Sequence, residues 1–237
     1  PFRVLDAHAG IGSYDLSAPE PRRTGEWRDG AARVMAGTDA ALAMAFGHVI
    51  LKEFHVERQD RYFNDYVRQY TDMPMLVQLV KQGDTYVPER FLRASDFVEG
   101  MGEANNPEWK TVAYDESSGE IVVPKGSVGF RWGEKGKWSL EEKASGNQET
   151  RLRLSLSDIK DGISPVGFPY FGNREHDHFA GTDHPDVLKR NIPTKTLHLA
   201  DGETVVASVF DLFLANYGVD RGFGGENVGK TYDDIEP

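Results

Sequence analysis

Apolar and polar residues follow one another in this chain with a helical period early and a strand-like rhythm later. From Thr38 to Phe54 the spacing predicts a helix, with Leu42, Ala45, Phe46 and Val49 at i, i+3, i+4 and i+7 on one buried face. Thr38 is a suitable N-cap, because its hydroxyl can accept from a free first-turn N–H. Asp39 suits the positive end of the helix dipole, and Lys52 falls near the negative end. A second helix is expected over Arg61 to Tyr70, with Tyr62, Tyr66 and Val67 on one side. Pro74 stops it, and Met75 to Val80 predicts a buried strand.

The stretch from Gly83 to Ser164 has a different rhythm. Short apolar runs alternate with turn signals at Gly83-Asp, Asn105-Asn-Pro, Ser117-Ser-Gly and Pro124-Lys-Gly. Thr111 to Tyr114 and Glu120 to Val123 flank one such turn and predict a β-hairpin. Trp109, Phe130, Trp132 and Trp138 supply apolar bulk. So long a loop-rich stretch is expected to pack on a larger body. A further hairpin is predicted from Thr194 to Leu199 and Thr204 to Phe210, around Asp201-Gly202, with a helix over Asp211 to Tyr217. At the other end, Phe2 to Leu5 predicts a buried strand and Ala7 to Ser13 the loop after it. Ser17 to Arg28 reads as irregular, and Glu26 to Met35 as helical.

Composition narrows the class. With 237 residues, 39% hydrophobic and 27% charged, the chain suits a folded globular protein. No apolar run approaches the roughly 20 residues of a membrane helix. The net charge is −11, and Lys and Arg form no obvious cluster, so nucleic acid is not an expected partner. The charge is uneven: residues 1–35 hold five Arg and five acids, and the remainder carries the whole deficit. Zero cysteines exclude a disulfide, a cysteine nucleophile and cysteine ligation of an iron–sulfur cluster within this chain. The opening Pro1-Phe-Arg, without Met or a long apolar stretch, is what a fragment would show.

Two motifs of different character lie either side of Arg33 to Gly37. The first is a strand followed by Asp6-x-His8-Ala-Gly10-x-Gly12, the layout of a loop that lets backbone approach a nucleotide-type cofactor. As a bare pattern it also fits an ordinary turn. The longer string Phe2-Arg-Val-Leu-Asp-Ala-His-Ala-Gly-Ile-Gly-Ser-Tyr-Asp-Leu16, with Arg23-Thr-Gly-Glu-Trp-Arg-Asp-Gly30, resembles the bacterial 23S rRNA adenine-N6 methyltransferases. That resemblance, read over residues 1–35, implies an S-adenosylmethionine loop in which His8 matches a cofactor-contacting histidine. The family's catalytic Asp-Pro-Pro-Tyr-type motif is absent from the chain, so methyl transfer is not expected.

The second motif is Gly37-Thr38-Asp39 at a helix start, where free N–H groups can meet an anion and Asp39 can accept hydrogen bonds from a base or sugar. On those three residues alone an ordinary N-cap serves as well. The continuation Gly37-Thr-Asp-Ala-Ala-Leu-Ala-Met-Ala-Phe-Gly-His-Val-Ile-Leu-Lys-Glu-Phe54 resembles the dimethyl-sulfoxide-reductase superfamily of molybdenum enzymes. Tyr70-Thr-Asp-Met-Pro-Met-Leu-Val77 and Arg90-Phe-Leu-Arg-Ala-Ser-Asp96 narrow the resemblance to the nitrate, selenate and perchlorate reductase branch. Asn105-Asn-Pro-Glu-Trp-Lys-Thr-Val-Ala113, Gly126-Ser-Val-Gly-Phe-Arg-Trp-Gly-Glu-Lys-Gly-Lys-Trp138, Val166-Gly-Phe-Pro-Tyr-Phe-Gly172 and Leu214-Ala-Asn-Tyr-Gly218 are similar to the catalytic alpha subunits of respiratory nitrate reductases.

This resemblance, over residues 36–237, implies reduction of nitrate to nitrite with electrons from quinol. It implies a molybdenum bis(molybdopterin guanine dinucleotide) centre and a 4Fe-4S cluster in the full-length family, with Gly37, Thr38 and Asp39 contacting one pterin dinucleotide. It also implies an iron–sulfur beta subunit, a membrane quinol-oxidising gamma subunit, and a cytoplasmic position held at the membrane by those partners. The cluster ligands and the metal-ligating Asp of that family have no counterpart here, so the isolated chain is expected to hold no molybdenum and to be inactive.

The expected fold is mixed α/β and α+β, an internal fragment of a molybdopterin oxidoreductase catalytic domain with a loop-rich β insertion. Residues 1–35 form a truncated methyltransferase-like strand and glycine loop, 36–80 an α/β part, and 81–237 an irregular β-rich insertion that returns to the main body. The rival readings are the rRNA methyltransferase and a non-catalytic packing module. Among other residues, His176, His178 and His184 with Asp183 and Asp186 have metal-ligating chemistry, but their loop-like setting without a further ligand from a regular element favours ordinary histidines. His48 and His55 lack the His-Glu-x-x-His spacing and read as packed or surface residues. Arg131, Lys135 and Lys137 near Trp132 and Trp138 read as packing or a subunit contact rather than a base-stacking platform.

Overall fold

The computed structural model describes residues 39–126, 140–144, 149–169, 187–226 and 228–229. The helix α1 spans Asp39–Ile50 and passes directly into a π-helical segment, Leu51–Glu57. The N–H of Arg58 reaches back five residues to the carbonyl of Glu53 at 3.1 Å, which marks the wider turn. Helix α2 follows at Arg61–Tyr70, as the pattern predicts, and the Asp60 carboxylate caps it by accepting from the Phe63 N–H at 2.9 Å.

The buried faces differ from the predicted ones. Phe46 is 57% exposed and Val49 45%, while His48 and Leu51 are buried. Every residue from Ala40 to Leu51 except Gly47 and His48 is apolar, so periodicity does not single out a face there; the docking contact does, as described below. On α2, Tyr62 and Tyr66 are exposed and the buried residues are Asn64 and Val67. Tyr66 lies 4.9 Å from Tyr70, centroid to centroid, and 6.3 Å from Tyr62, so the i, i+4 rings shield one another instead of entering the core.

The sheet is a closed five-stranded barrel built from β1 (Leu76–Gln82), β2 (Thr85–Phe91), β7 (Gly162–Pro169), β8 (Val187–Leu199) and β9 (Gly202–Ser208), in the order β1-β2-β7-β8-β9. Four of the contacts are antiparallel, and β2 meets β7 in parallel at Tyr86 and Val166. The fold therefore has helices and a mixed sheet. Strand β2 and the first three residues of β7 fall in the stretch expected to be loop-rich. Pro88 in β2 and Gly162, Pro165 and Gly167 in β7 read locally as turn residues; pairing overrides that preference. Pro88 stands beside the register shift between Gln78 and Leu79, where a missing N–H is tolerated.

Both faces of the β1–β9 ladder are covered. Leu76 and Val206 pack with Leu92, Val112, Tyr114 and Leu156 on one side. Leu79 and Ala207 pack with Val166, Phe168, Ile192 and Ala215 on the other. The β8–β9 hairpin and helix α3 (Val209–Asn216) match expectation, although β8 begins earlier. The predicted hairpin near residue 117 is present as β3 (Ala113–Tyr114) and β4 (Ile121–Val122). Pro124-Lys-Gly126, expected as a turn, is strand β5, paired with β6 (Leu140–Ala144). Trp109, expected as core bulk, is 80% exposed, because it ends a one-turn 3₁₀ segment, Pro107–Trp109, at the surface.

Asp115 organises the β3–β4 turn. Burial pushes its carboxyl pKa up. Hydrogen bonds from the Arg151 N–H at 2.9 Å and from Ser117 and Ser118 outweigh burial and hold it well below the usual carboxylate range. Glu116 next to it joins Arg68 of α2 at 3.0 Å and Arg151 at 2.9 Å, tying the helix to the hairpin.

Candidate functional site

Of the residues predicted to hold a cofactor, His8, Gly37 and Thr38 lie outside the described residues. Asp39 is the first residue of α1. The candidate metal histidines His176, His178 and His184, with Asp183 and Asp186, also lie outside, as do Arg131, Trp132, Lys135, Lys137 and Trp138. Among the described residues no group of three His, Asp or Glu side chains stands close enough to hold a metal ion. The described part of the site is therefore the scaffold that fixes α1, at whose N-terminus Asp39 stands.

Gly47 sets that scaffold. A Cβ added there would lie 2.0 Å from Tyr217 Cε1 and 2.7 Å from Cδ1, so only glycine lets α1 come this close to the end of α3. The neighbouring His48 is 1% exposed, and its Nδ1 donates to the Tyr217 carbonyl at 2.8 Å. The Tyr217 ring in turn packs at a tilt against Phe213, with centroids 4.6 Å apart. Sequence reasoning missed this contact. The available signal was a glycine inside an apolar helix, where it costs about 1 kcal/mol relative to alanine and so marks a close approach.

The π-helical segment carries His55 inward. Its Nδ1 donates to Asn64 Oδ1 of α2 at 2.8 Å, and its ring meets Phe210 of α3 edge-on at 4.5 Å. Burial lowers the His55 pKa; the Asn64 hydrogen bond opposes this, and Arg221 lowers it further. His48 and His55 are thus both packed histidines, one against α3 and one between α2 and α3.

Beneath them lies the fully buried carboxylate of Asp211. It accepts from Arg221 Nη1 at 2.6 Å, Ser155 Oγ at 2.7 Å, the Leu156 N–H at 2.8 Å and Ser208 Oγ at 2.8 Å. Ser208 is also the N-cap of α3, accepting from the Asp211 N–H at 3.0 Å. At the other end of α3, Arg190 of β8 donates to the carbonyls of Ala215 at 2.7 Å and Asn216 at 2.8 Å and so caps the helix C-terminus. Gly225 lies against Arg190; a Cβ there would sit 2.7 Å from Arg190 Cα, and its φ is +128°. Arg190, Asn191, Ala215, Phe223 and Gly224 border a hollow of about 10 Å³, room for roughly one water and far too small for a nucleotide. Asp211, Arg190 and Arg221 are paired internally, so their chemistry is positional. No nucleophile–base pair is assembled among these residues.

Comparison with known proteins returns two similarities. A family profile described as RsmJ, Ribosomal RNA large subunit methyltransferase D, RlmJ, matches residues 1–94. Ribosomal RNA large subunit methyltransferase J of Escherichia coli (strain K12) is 30% identical over 97 residues, 41% of this chain and 32% of that protein. This similarity runs further than residues 1–35, on which the motif was read. Respiratory nitrate reductase 2 alpha chain of Escherichia coli (strain K12) is 57% identical over 203 residues, 85% of this chain and 16% of that one. Respiratory nitrate reductase 1 alpha chain of the same organism is 52% identical over 202 residues, 84% of this chain and 16% of that one. Together the two kinds of match exceed the length of the chain, so they overlap. The chain spans 16% of the length of these nitrate reductase relatives. Over most of its residues, then, this chain is related to one stretch of the respiratory nitrate reductase alpha chains, and over its first part it is similar to an rRNA methyltransferase.

Proposed function

We propose that the chain is a segment of the catalytic alpha subunit of a respiratory nitrate reductase, in which it positions the helix start Gly37-Thr38-Asp39 against one molybdopterin guanine dinucleotide. The observation that carries this reading is the 57% identity over 203 residues to a nitrate reductase alpha chain. In the complete enzyme the molybdenum centre, when bound, supplies oxygen-atom transfer from nitrate to give nitrite. The chain has no cysteine to hold the 4Fe-4S cluster, and among the described residues no three ligating side chains come together. No step of the reaction is therefore assigned to it.

Its contribution in this reading is mechanical. Gly47, His48 and His55 hold α1 against α2 and α3, and the helix start then presents N–H groups and a carboxylate to the dinucleotide. Residues 36–80 belong to the dinucleotide-binding part, and residues 81–237 carry the β-rich elements that buttress it. The isolated chain reduces no nitrate. In the complete enzyme an iron–sulfur beta subunit and a quinol-oxidising gamma subunit deliver electrons and hold the alpha subunit at the membrane. No helix among the described residues is long and apolar enough to cross a membrane.

The test is a transplant. Residues 36–237 replace the matching stretch of the Escherichia coli nitrate reductase 2 alpha chain, and nitrate reduction by the assembled complex is measured. Activity within about tenfold of the parent is expected, with molybdenum retained; D39A in the transplant lowers molybdenum content. A stable assembled complex without activity overturns the reading. The methyltransferase match over residues 1–94 favours S-adenosylmethionine binding instead; calorimetric titration of the chain with S-adenosylmethionine, expected to give no heat of binding, discriminates the two.

A further inference from the structure

The π-helical segment Leu51–Glu57 depends on contacts from outside itself. Such a run is rare and tends to occur at functional sites. Just beyond it stands Gln59, whose φ of +49° is uncommon for any residue but glycine. Leu51 is buried with Val67 of α2 and with Phe210 and Leu214 of α3. His55 bridges the same two helices: its Nδ1 donates to Asn64 Oδ1 at 2.8 Å, and its ring meets Phe210 edge-on at 4.5 Å. The ring is only partly buried, so protons can reach it. The charges around it disfavour a second proton. Arg221, beyond the end of α3, and Arg68 of α2 oppose a positive ring, and Asp211 of α3 favours one. Asp211 is already paired with Arg221 at 2.6 Å, and Arg68 with Glu116 at 3.0 Å. On the segment itself, Glu53 pairs with Arg58 at 3.1 Å.

We propose that His55 is an acid-sensitive latch: as a neutral ring it clamps the π-helical segment to α2 and α3, and on protonation it lets the segment go. The inference goes beyond the function proposed above and does not depend on it. The neutral ring, with its one proton on Nδ1, gives Asn64 its hydrogen bond and rests against Phe210 with no charge to desolvate. A proton added at Nε2 puts a charge in a partly desolvated site. That site offers it two guanidiniums and a carboxylate already committed to one of them. The released ring meets water, which solvates the imidazolium, so acid shifts the balance toward release. The pKa of the clamped ring is lowered chiefly by burial; the Asn64 bond opposes this, Arg221 lowers it further, Asp211 opposes, and Arg68 lowers it again. The effect has a ceiling. At pH 5.5 a freed imidazole of ordinary pKa, about 6.5, is protonated about ten to one, so release grows by at most about tenfold between pH 7.5 and 5.5. Strands β1 and β2 contain no histidine, so they serve as the control region.

The experiment is amide hydrogen exchange of the full 237-residue chain, read by mass spectrometry at pH 7.5 and pH 5.5 and corrected for the intrinsic pH dependence of exchange. Protection of residues 51–60 is expected to fall severalfold at pH 5.5, while that of β1 and β2 changes less than about twofold, the local opening of one unit. H55Q keeps an uncharged side chain that does not titrate, and it leaves His48 in place; protection of residues 51–60 should then be equal at the two pH values. N64D offers the imidazolium a carboxylate, which favours the charged ring, so the clamp should persist at pH 5.5. A change of less than about twofold in residues 51–60 of the parent overturns the inference, and so does an equal loss of protection in β1 and β2. An H55Q or N64D chain that loses protection with pH as the parent does also overturns it. The parent comparison is decisive by itself if either variant fails to fold.

Discussion

Gly47→Ala offers a direct test of how α1 is held, because two effects of opposite sign compete at one atom. Alanine in a helix interior is favoured over glycine by about 1 kcal/mol. On an unpacked helix the substitution would therefore stabilise. Here the new methyl would meet three ring atoms of Tyr217 at 2.0, 2.7 and 2.8 Å. Carbon atoms pack at about 3.5–4.0 Å, so the ring or the helix must move by roughly 1.5 Å. The ring is not free to swing, since it packs against the Phe213 ring, centroids 4.6 Å apart. Moving the helix stretches the His48 hydrogen bond to the Tyr217 carbonyl, worth about 1 kcal/mol. Overpacking of this kind costs about 1–3 kcal/mol, and the lost hydrogen bond adds to it. The expected balance is a net destabilisation of about 1–3 kcal/mol. Urea denaturation followed by circular dichroism measures it. In a Tyr217→Ala background the clash is removed, and Gly47→Ala becomes neutral or stabilising by up to about 1 kcal/mol. An unchanged or higher midpoint for Gly47→Ala in the parent chain refutes the reasoning.

Two further outcomes follow from the buried polar groups. Asp211→Ala removes the acceptor of Arg221, Ser155, Ser208 and the Leu156 N–H at once, and breaking a buried pair in this way costs about 3–5 kcal/mol; a fall of less than about 1 kcal/mol in urea titrations would show that the cluster does not organise α3. His55 has its folded-state pKa lowered from 6.5, chiefly by burial. The folded chain then binds fewer protons than the unfolded one, so this contribution to stability is complete above about pH 6.5 and is lost as pH falls through that value toward the lower folded-state pKa. Denaturation midpoints from pH 8 to pH 5 should drop less steeply for His55→Gln than for the parent, and parallel curves would dismiss the role of His55.

The local elements were legible because their causes are local. Helix α2 occupies Arg61–Tyr70, the span expected ahead of Pro74. The hairpins β3–β4 and β8–β9 were marked by turn residues between apolar runs. The helix start Gly37-Thr38-Asp39 was legible as a motif only through the long string that continues it to Phe54. Strands β2 and β7 were not legible, since Pro88, Pro165 and Gly167 look like loop residues until a partner strand is present. The buried side of α1 was misassigned for a related reason: a helix apolar almost all round has no preferred face of its own.

The sequence by itself determined helix α2, the β3–β4 and β8–β9 hairpins, the absence of thiol ligands and the relationship to nitrate reductase alpha chains. Only the tertiary structure decided how the barrel closes, which side of α1 is covered, and that Asp211, Arg221 and Ser155 share one buried cluster. Spacing and capping act over a few residues and can be read along the chain. The pairing of Tyr86 with Val166, and the approach of Gly47 to Tyr217, join residues far apart in sequence; their free energy depends on shape and desolvation at contacts that exist only once the chain has folded.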